Sequence, residues 1–190
     1  MKRNVLALCA CLATLAGHAA AATPKPAVPA TVATKAKAPA SFQDIMRDQV
    51  VPASTVLWNA VSVESNEHGI IEHKPTTEKE WRSLQRQAQR LIDAGNLLLD
   101  RSRPIATAGA AVQDADQPGL LKPDEIRQRM DADPALLARK VQAFHEAATK
   151  MLLAIKAKNP DGLTDAGSEL DEACEACHKT YWYPNSAQGQ

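Results

Sequence analysis

Apolar positions along most of this chain recur at alternating steps of three and four, the spacing that buries one face of a helix. A first series runs Phe42, Ile45, Met46, Gln49, Ala53, Val56, Leu57 and Ala60, behind Ser41 as N-cap. Pro52 falls inside it and predicts a kink or a restart, because proline has no N–H for the carbonyl four residues back. A second helix opens on the capping box Thr77-Glu78-Lys79-Glu80 and carries Trp81, Leu84, Ala88, Leu91, Gly95 and Leu98 on one seam. A third has Asp133 as N-cap and Pro134 in first position, then Leu137, Val141, Phe144, Ala148, Met151 and Ile155. Asn159-Pro160 ends it. A fourth begins near Asp161 and steps through Leu163, Gly167, Leu170, Cys174, Cys177 and Tyr181.

Two stretches depart from this rhythm. Between helices one and two, Val61 to Pro75 reads as a short β-hairpin turning at Asn66-Glu67-His68-Gly69, with His68 and His73 exposed. Arg101 to Lys122 is a long connection bearing Gly and Pro, with a short helical piece expected from Pro123 to Met130. The fold class that follows is all-α: an antiparallel four-helix bundle, with a short β-hairpin between helices one and two.

The N-terminal end predicts export. Lys2 and Arg3 precede a mostly apolar run, Val5 to Ala16, and Ala19-Ala20-Ala21-Ala22 offers small residues for cleavage. The run is shorter than the roughly 20 residues a membrane helix needs, so no membrane span is expected. Residues 1–22 are read as a signal peptide, which takes Cys9 and Cys11 with it, and the product as periplasmic. Residues 23–40, rich in Pro, Ala, Thr and Lys, read as a disordered linker. Residues 41–184 form one domain, and 185–190 a flexible tail. Formal charge is zero for the whole chain and slightly acidic once Lys2 and Arg3 are lost. That balance argues against nucleic acid, which asks for a basic surface. No phosphate-binding loop, dinucleotide fingerprint or hydrolase elbow occurs, and no acid–base pair is identifiable, so the chain is not read as an enzyme.

The chemistry concentrates in Cys174-Glu175-Ala176-Cys177-His178. C-x-x-C-H is the attachment signature of c-type haem: two thiols add across the porphyrin vinyl groups and the adjacent imidazole ligates iron. In a helix, Cys174 and His178 lie four apart and share a face with Cys177. A thioredoxin-like reading needs a helix N-terminus to lower the cysteine pKa, and here the motif ends a helix. A zinc site needs a second ligand pair at a plausible spacing. A plain disulfide leaves His178 without a role. The expectation is one covalently attached haem c, with Cys174 and Cys177 as thioether anchors and His178 as proximal iron ligand.

A motif placed at the end of the fourth helix, in Cys174-Glu175-Ala176-Cys177-His178-Lys179-Thr180-Tyr181, resembles the CxxCHxxY ending of the cytochrome c′ / cytochrome c-556 group (class II c-type cytochromes). The likeness extends to the domain plan from Ser41 to Pro184. Trp182 stands where that group usually carries a basic residue, and the hairpin and the Arg101–Lys122 connection look longer than its usual ones. The resemblance implies that helix one faces the other side of the iron. In the c-556 type a helix-one methionine ligates, which suits an electron carrier, and Met46 holds that place here. In the c′ type the facing residue is apolar and the five-coordinate iron binds NO or CO. Met130 and Met151 are further along other helices, and His145 offers a bis-His alternative. Arg47, Arg82, Arg86 and Lys179 are candidates to meet haem propionates. The function implied is a periplasmic monohaem electron carrier meeting a redox partner protein, with a homodimer open; the alternative is an NO/CO-binding protein.

Overall fold

The computed structural model describes residues 39–67 and 69–185; the expected signal peptide, most of the linker, His68 and most of the tail lie outside the described residues. The chain divides into two units, and everything below belongs to the second, Ala38–Gln190. This unit is mostly helical, with one two-stranded antiparallel sheet.

The first helical stretch comes in three parts. Helix α1, Phe42–Ile45, starts at a reciprocal cap: the Asp44 N–H donates to Ser41 Oγ (3.1 Å) and the Ser41 N–H donates to Asp44 Oδ2 (3.0 Å). With the Ser41 hydroxyl also donating at 2.7 Å, the Asp44 carboxyl is held down at about 2. A π turn follows, Met46–Val50, in which the Val51 N–H reaches the Met46 carbonyl five residues back. Helix α2, Val51–Trp58, then resumes ordinary geometry.

The π turn has a cause in Pro52. Its ring would press on the Asp48 carbonyl in a regular α-helix, and it brings no N–H to that carbonyl. Bulges of this kind are among the few sources of a helix kink. The extra residue also changes which side chains face inward. Phe42, Ile45, Val50, Ala53 and Leu57 are all buried, so the core steps run three, five, three and four. The regular spacing expected from sequence put Gln49 and Val56 on that face. The structure corrects both: Val50, 4 % exposed, takes the place of Gln49, and Val56 is 43 % exposed.

Strands β1, Ser62–Asn66, and β2, Gly69–His73, form the hairpin, with Val63 opposite Glu72 and Ser65 opposite Ile70. Gly69 has φ of +119°, which favours glycine at this turn. All of β2 is exposed.

Helix α3, Glu78–Leu98, has the cap expected of it: the Glu80 N–H donates to Thr77 Oγ1 at 3.3 Å and the Thr77 N–H to Glu80 Oε2 at 2.8 Å. Helix α4, Pro123–Ala132, is followed directly by α5, Pro134–Lys156, with Asp133 accepting from the Leu136 N–H at 2.8 Å. Helix α6, Pro160–Tyr181, begins after a short turn in which Lys158 has φ of +53°. Helix α5 packs against both α3 and α6, and α2 against α3. Leu84, Leu91, Val141, Met151, Leu163 and Leu170 join the core they enclose. At Gly95 of α3 the His145 ring of α5 packs so close that a Cβ there would collide with it.

Candidate functional site

Helix α6 carries the cysteine–histidine motif on its last turns, its regular geometry supported by Asn159, whose Oδ1 accepts from the Gly162 N–H at 3.1 Å. Cys174, Cys177 and His178 are half-buried, and both thiols are free. Burial is the leading cause of their electrostatics. It pushes the Cys174 thiol up to about 12, with the neighbouring Cys177 adding to the shift. It pushes the Cys177 thiol to about 11, partly opposed by Lys140. Both thiols are therefore protonated at neutral pH, unlike the lowered, thiolate-bearing cysteines of redox catalysts. Burial also moves the His178 pKa down, against the opposing charge of Glu175. A neutral imidazole keeps a lone pair for a metal.

Above His178 the chain folds back on itself. The Trp182 and Tyr183 N–H groups both donate to the His178 carbonyl, at 2.7 and 3.2 Å. Their rings lie 5.7 and 6.1 Å from the imidazole, centroid to centroid. The Tyr183 hydroxyl donates to the Glu175 carboxylate, two residues before Cys177.

These groups border a cavity of about 350 Å³, within the range of small-molecule and cofactor sites. Helix α6 contributes Cys174 and His178, and the segment after it Trp182 and Tyr183. The first helical stretch contributes Gln43, Met46, Arg47, Val50, Val51, Ser54 and Trp58, while α5 adds Phe144. The long α3–α4 connection closes the cavity with Gln113, Asp114 and Leu120. It is tied there by the Leu121 N–H, which donates to the Trp182 carbonyl at 2.8 Å.

The predicted site residues are thus partly assembled. Met46, Cys174 and His178 share one cavity, and Cys177 packs against the core instead of lining it. Among the described methionines only Met46 lines the cavity, since Met130 and Met151 are core residues. His145 packs at Gly95 and does not line it, with its Nε2 buried and unpartnered. Of the basic candidates only Arg47 borders the cavity, already bonded to Asp44 at 2.8 Å and Asp48 at 2.7 Å. Lys179 instead lies 3.6 Å from Glu175. Sequence reasoning missed Trp58, whose Nε1–H donates to the Gly167 carbonyl of α6 at 3.1 Å. It also missed Gln43, one turn ahead of Met46, whose Oε1 is buried without a partner. Both lie on the cavity-facing stripe of the first helical stretch, with Arg47, Val50 and Ser54.

These residues suit a covalent haem. The walls are largely apolar, two free thiols stand three residues apart, and a neutral imidazole and a thioether both border the cavity. Among the described residues no cluster of three His, Cys, Asp or Glu could hold a bare metal ion, and no helix is long and apolar enough to cross a membrane. No family model, curated protein or solved structure matches the chain.

Proposed function

We propose that this chain is a monohaem c-type cytochrome of the c′ / c-556 kind, an antiparallel four-helix bundle that carries single electrons in the periplasm. The observation that carries this reading is the meeting of Met46 with Cys174 and His178 at one cavity, from opposite ends of the domain. A bound haem supplies an iron that gains and loses one electron. Cys174 and Cys177 would hold it by thioether bonds, and the neutral His178 imidazole would offer a ring-nitrogen lone pair to the iron. Met46, which lines the same cavity, would offer its thioether as a second ligand, which would raise the reduction potential relative to a second imidazole. Trp58, Phe144 and Leu120 line that space with apolar surface. Arg47 stands at its edge for a propionate, and a protein partner delivers or takes the electron. A homodimer is compatible with this arrangement and not required by it.

The test is the optical and EPR spectrum of the haem-loaded protein, oxidised and reduced, beside that of Met46→Ala. A low-spin wild type that becomes high-spin in the variant, with a lower reduction potential, is the expected outcome. A high-spin wild type that readily takes up CO or NO assigns the protein to the gas-binding class instead.

A further inference from the structure

One polar side chain stands unsatisfied in the wall of the cavity that the proposed function fills. Gln43 lines that cavity, and its Oε1 is buried without a hydrogen-bond partner. Among the described residues it is the only one bordering the cavity of which this holds. Other polar groups of the wall are engaged. The Ser54 hydroxyl donates to the Val51 carbonyl at 3.1 Å, Arg47 is bonded to Asp44 and Asp48, and the Tyr183 hydroxyl donates to Glu175. Gln113 and Asp114 are exposed to water. A buried amide atom without a partner is costly, and folded chains keep few of them. A half-turn about the last side-chain bond exchanges the amide oxygen and the NH2 group, so the same place can present an acceptor or a donor.

The neighbour of Gln43 in that wall is Met46. The Met46 N–H donates to the carbonyls of Phe42 and Gln43, so the two residues belong to one closed turn ahead of the wider ring. Side chains three apart are neighbours on a helix surface. Helical Cα–Cβ bonds also tilt toward the N-terminus, which leans the Met46 side chain back over the turn that carries Gln43. Both then border the same cavity. A thioether sulfur has two lone pairs and accepts hydrogen bonds weakly. When one pair goes to a metal, the other is left for an N–H.

We propose that Gln43 is a positioning residue for Met46, giving an amide N–H to the sulfur lone pair that Met46 does not give to iron. This rests on the reading of Met46 as second axial ligand. Hydrogen bonding from outside the ligand set is one of the protein's levers on a haem. An N–H on sulfur draws electron density from it, which disfavours the oxidised iron and raises the reduction potential. Simple polarity acts with the opposite sign: an apolar residue in place of Gln43 supports the charge of the oxidised iron less well, and its loss of polarity raises the potential.

The experiment is a two-by-two set on the haem-loaded protein: wild type, Gln43→Leu, Met46→Ala and the double variant. Each is read by EPR and by equilibration with a redox dye of known potential. Gln43→Leu is expected to move the equilibrium about threefold toward the oxidised form, part of the worth of one net hydrogen bond, and to shift the low-spin EPR signal. Gln43→Asn, which keeps the amide on a shorter stem, is expected to fall between, and it carries the same comparison if the leucine variant does not mature. In the Met46→Ala background the change at Gln43 is expected to have little effect, which is the non-additivity of two groups in contact. The proposal is overturned if the potential of Gln43→Leu is unchanged or higher, or if its fall is as large without Met46 as with it. A wild type with covalent haem but high-spin iron also overturns it, while leaving haem attachment intact. Absence of covalent haem, seen by mass, removes the proposed function and this inference together.

Discussion

Helix α6 and the stretch from Phe42 to Trp58 both deliver residues to the same cavity, and they do so in opposite ways. Helix α6 uses ordinary helical spacing throughout, so Cys174 and His178 share a face simply by lying four residues apart. The first stretch reaches the cavity across a change of register, with Met46 opening a π turn and a proline fixing where that turn falls. A covalent anchor tolerates such rigidity: its geometry is set by bonds, and a regular helix presents it well. A ligand held only by coordination needs a side chain aimed independently of the core packing beneath it. In the proposed reading the regular helix carries the anchor and the irregular element carries Met46, the ligand held by coordination alone.

The largest expected effect lies on the regular side. Replacing both Cys174 and Cys177 by Ser is expected to abolish haem that survives denaturation, seen as the missing mass increment on the intact chain. Either single substitution should leave one thioether and a shifted reduced optical band. If the double variant keeps covalent haem, α6 is not the anchor.

Next in size is an effect of pH. Burial lifts the two thiols from 9 to about 12 and about 11, so the folded chain holds protons that the unfolded chain has released. The stability this lends is complete below pH 9 and drains away as pH rises toward 11 and 12. Denaturant melts of the haem-free chain should thus lose several kcal/mol over that window. Once thioethers have formed there is no thiol to titrate, and the haem-loaded chain should lack this contribution. Equal alkaline sensitivity in the two forms would contradict the burial of Cys174 and Cys177.

The smallest effect separates the two registers of the first stretch. Val50→Ala, at a site 4 % exposed, should cost about 1–2 kcal/mol by lost burial and packing. Val56→Ala, at a site 43 % exposed, should stay within about 0.5 kcal/mol. Urea midpoints decide between them, and the reverse order would restore an uninterrupted helix.

Much of this was legible in the residues. The caps at Ser41, Thr77 and Asp133 and the seams of α3, α5 and α6 follow from local chemistry, because capping hydroxyls and three-four spacing act within one helix. The motif on α6 was equally local. The first stretch was less so, although Pro52 marked the break. Its core steps contain a five, from Ile45 to Val50, and a regular template reads over that gap to Gln49. Trp58 and Gln43 escaped notice because they lie on the face beside the core seam, at 43, 47, 50, 54 and 58, and nothing in that spacing says it meets a cavity. The closing of the cavity by Gln113, Asp114 and Leu120 was not legible either. It depends on a bond between Leu121 and Trp182, and pairing at that separation leaves no periodic trace.

The hairpin has a consequence for how the protein behaves in a crowded solution. A two-stranded ribbon with β2 wholly exposed offers unpaired backbone along its outer edges and carries Val63, Ile70 and Ile71 into water. Such an edge is a template for another strand. Glu64 and Glu72 sit directly across from Ile71 and Val63, so two ribbons approaching one another bring carboxylates together before they can pair. Keeping such edges apart is thereby left to a few charged side chains, Glu64 and Glu72 with the His73 and Lys74 that face them at 3.5 and 3.7 Å. Replacing Glu64 and Glu72 by Val should therefore turn the ribbon into a site where folded chains associate while the helices stay in place, read as growth in light scattering.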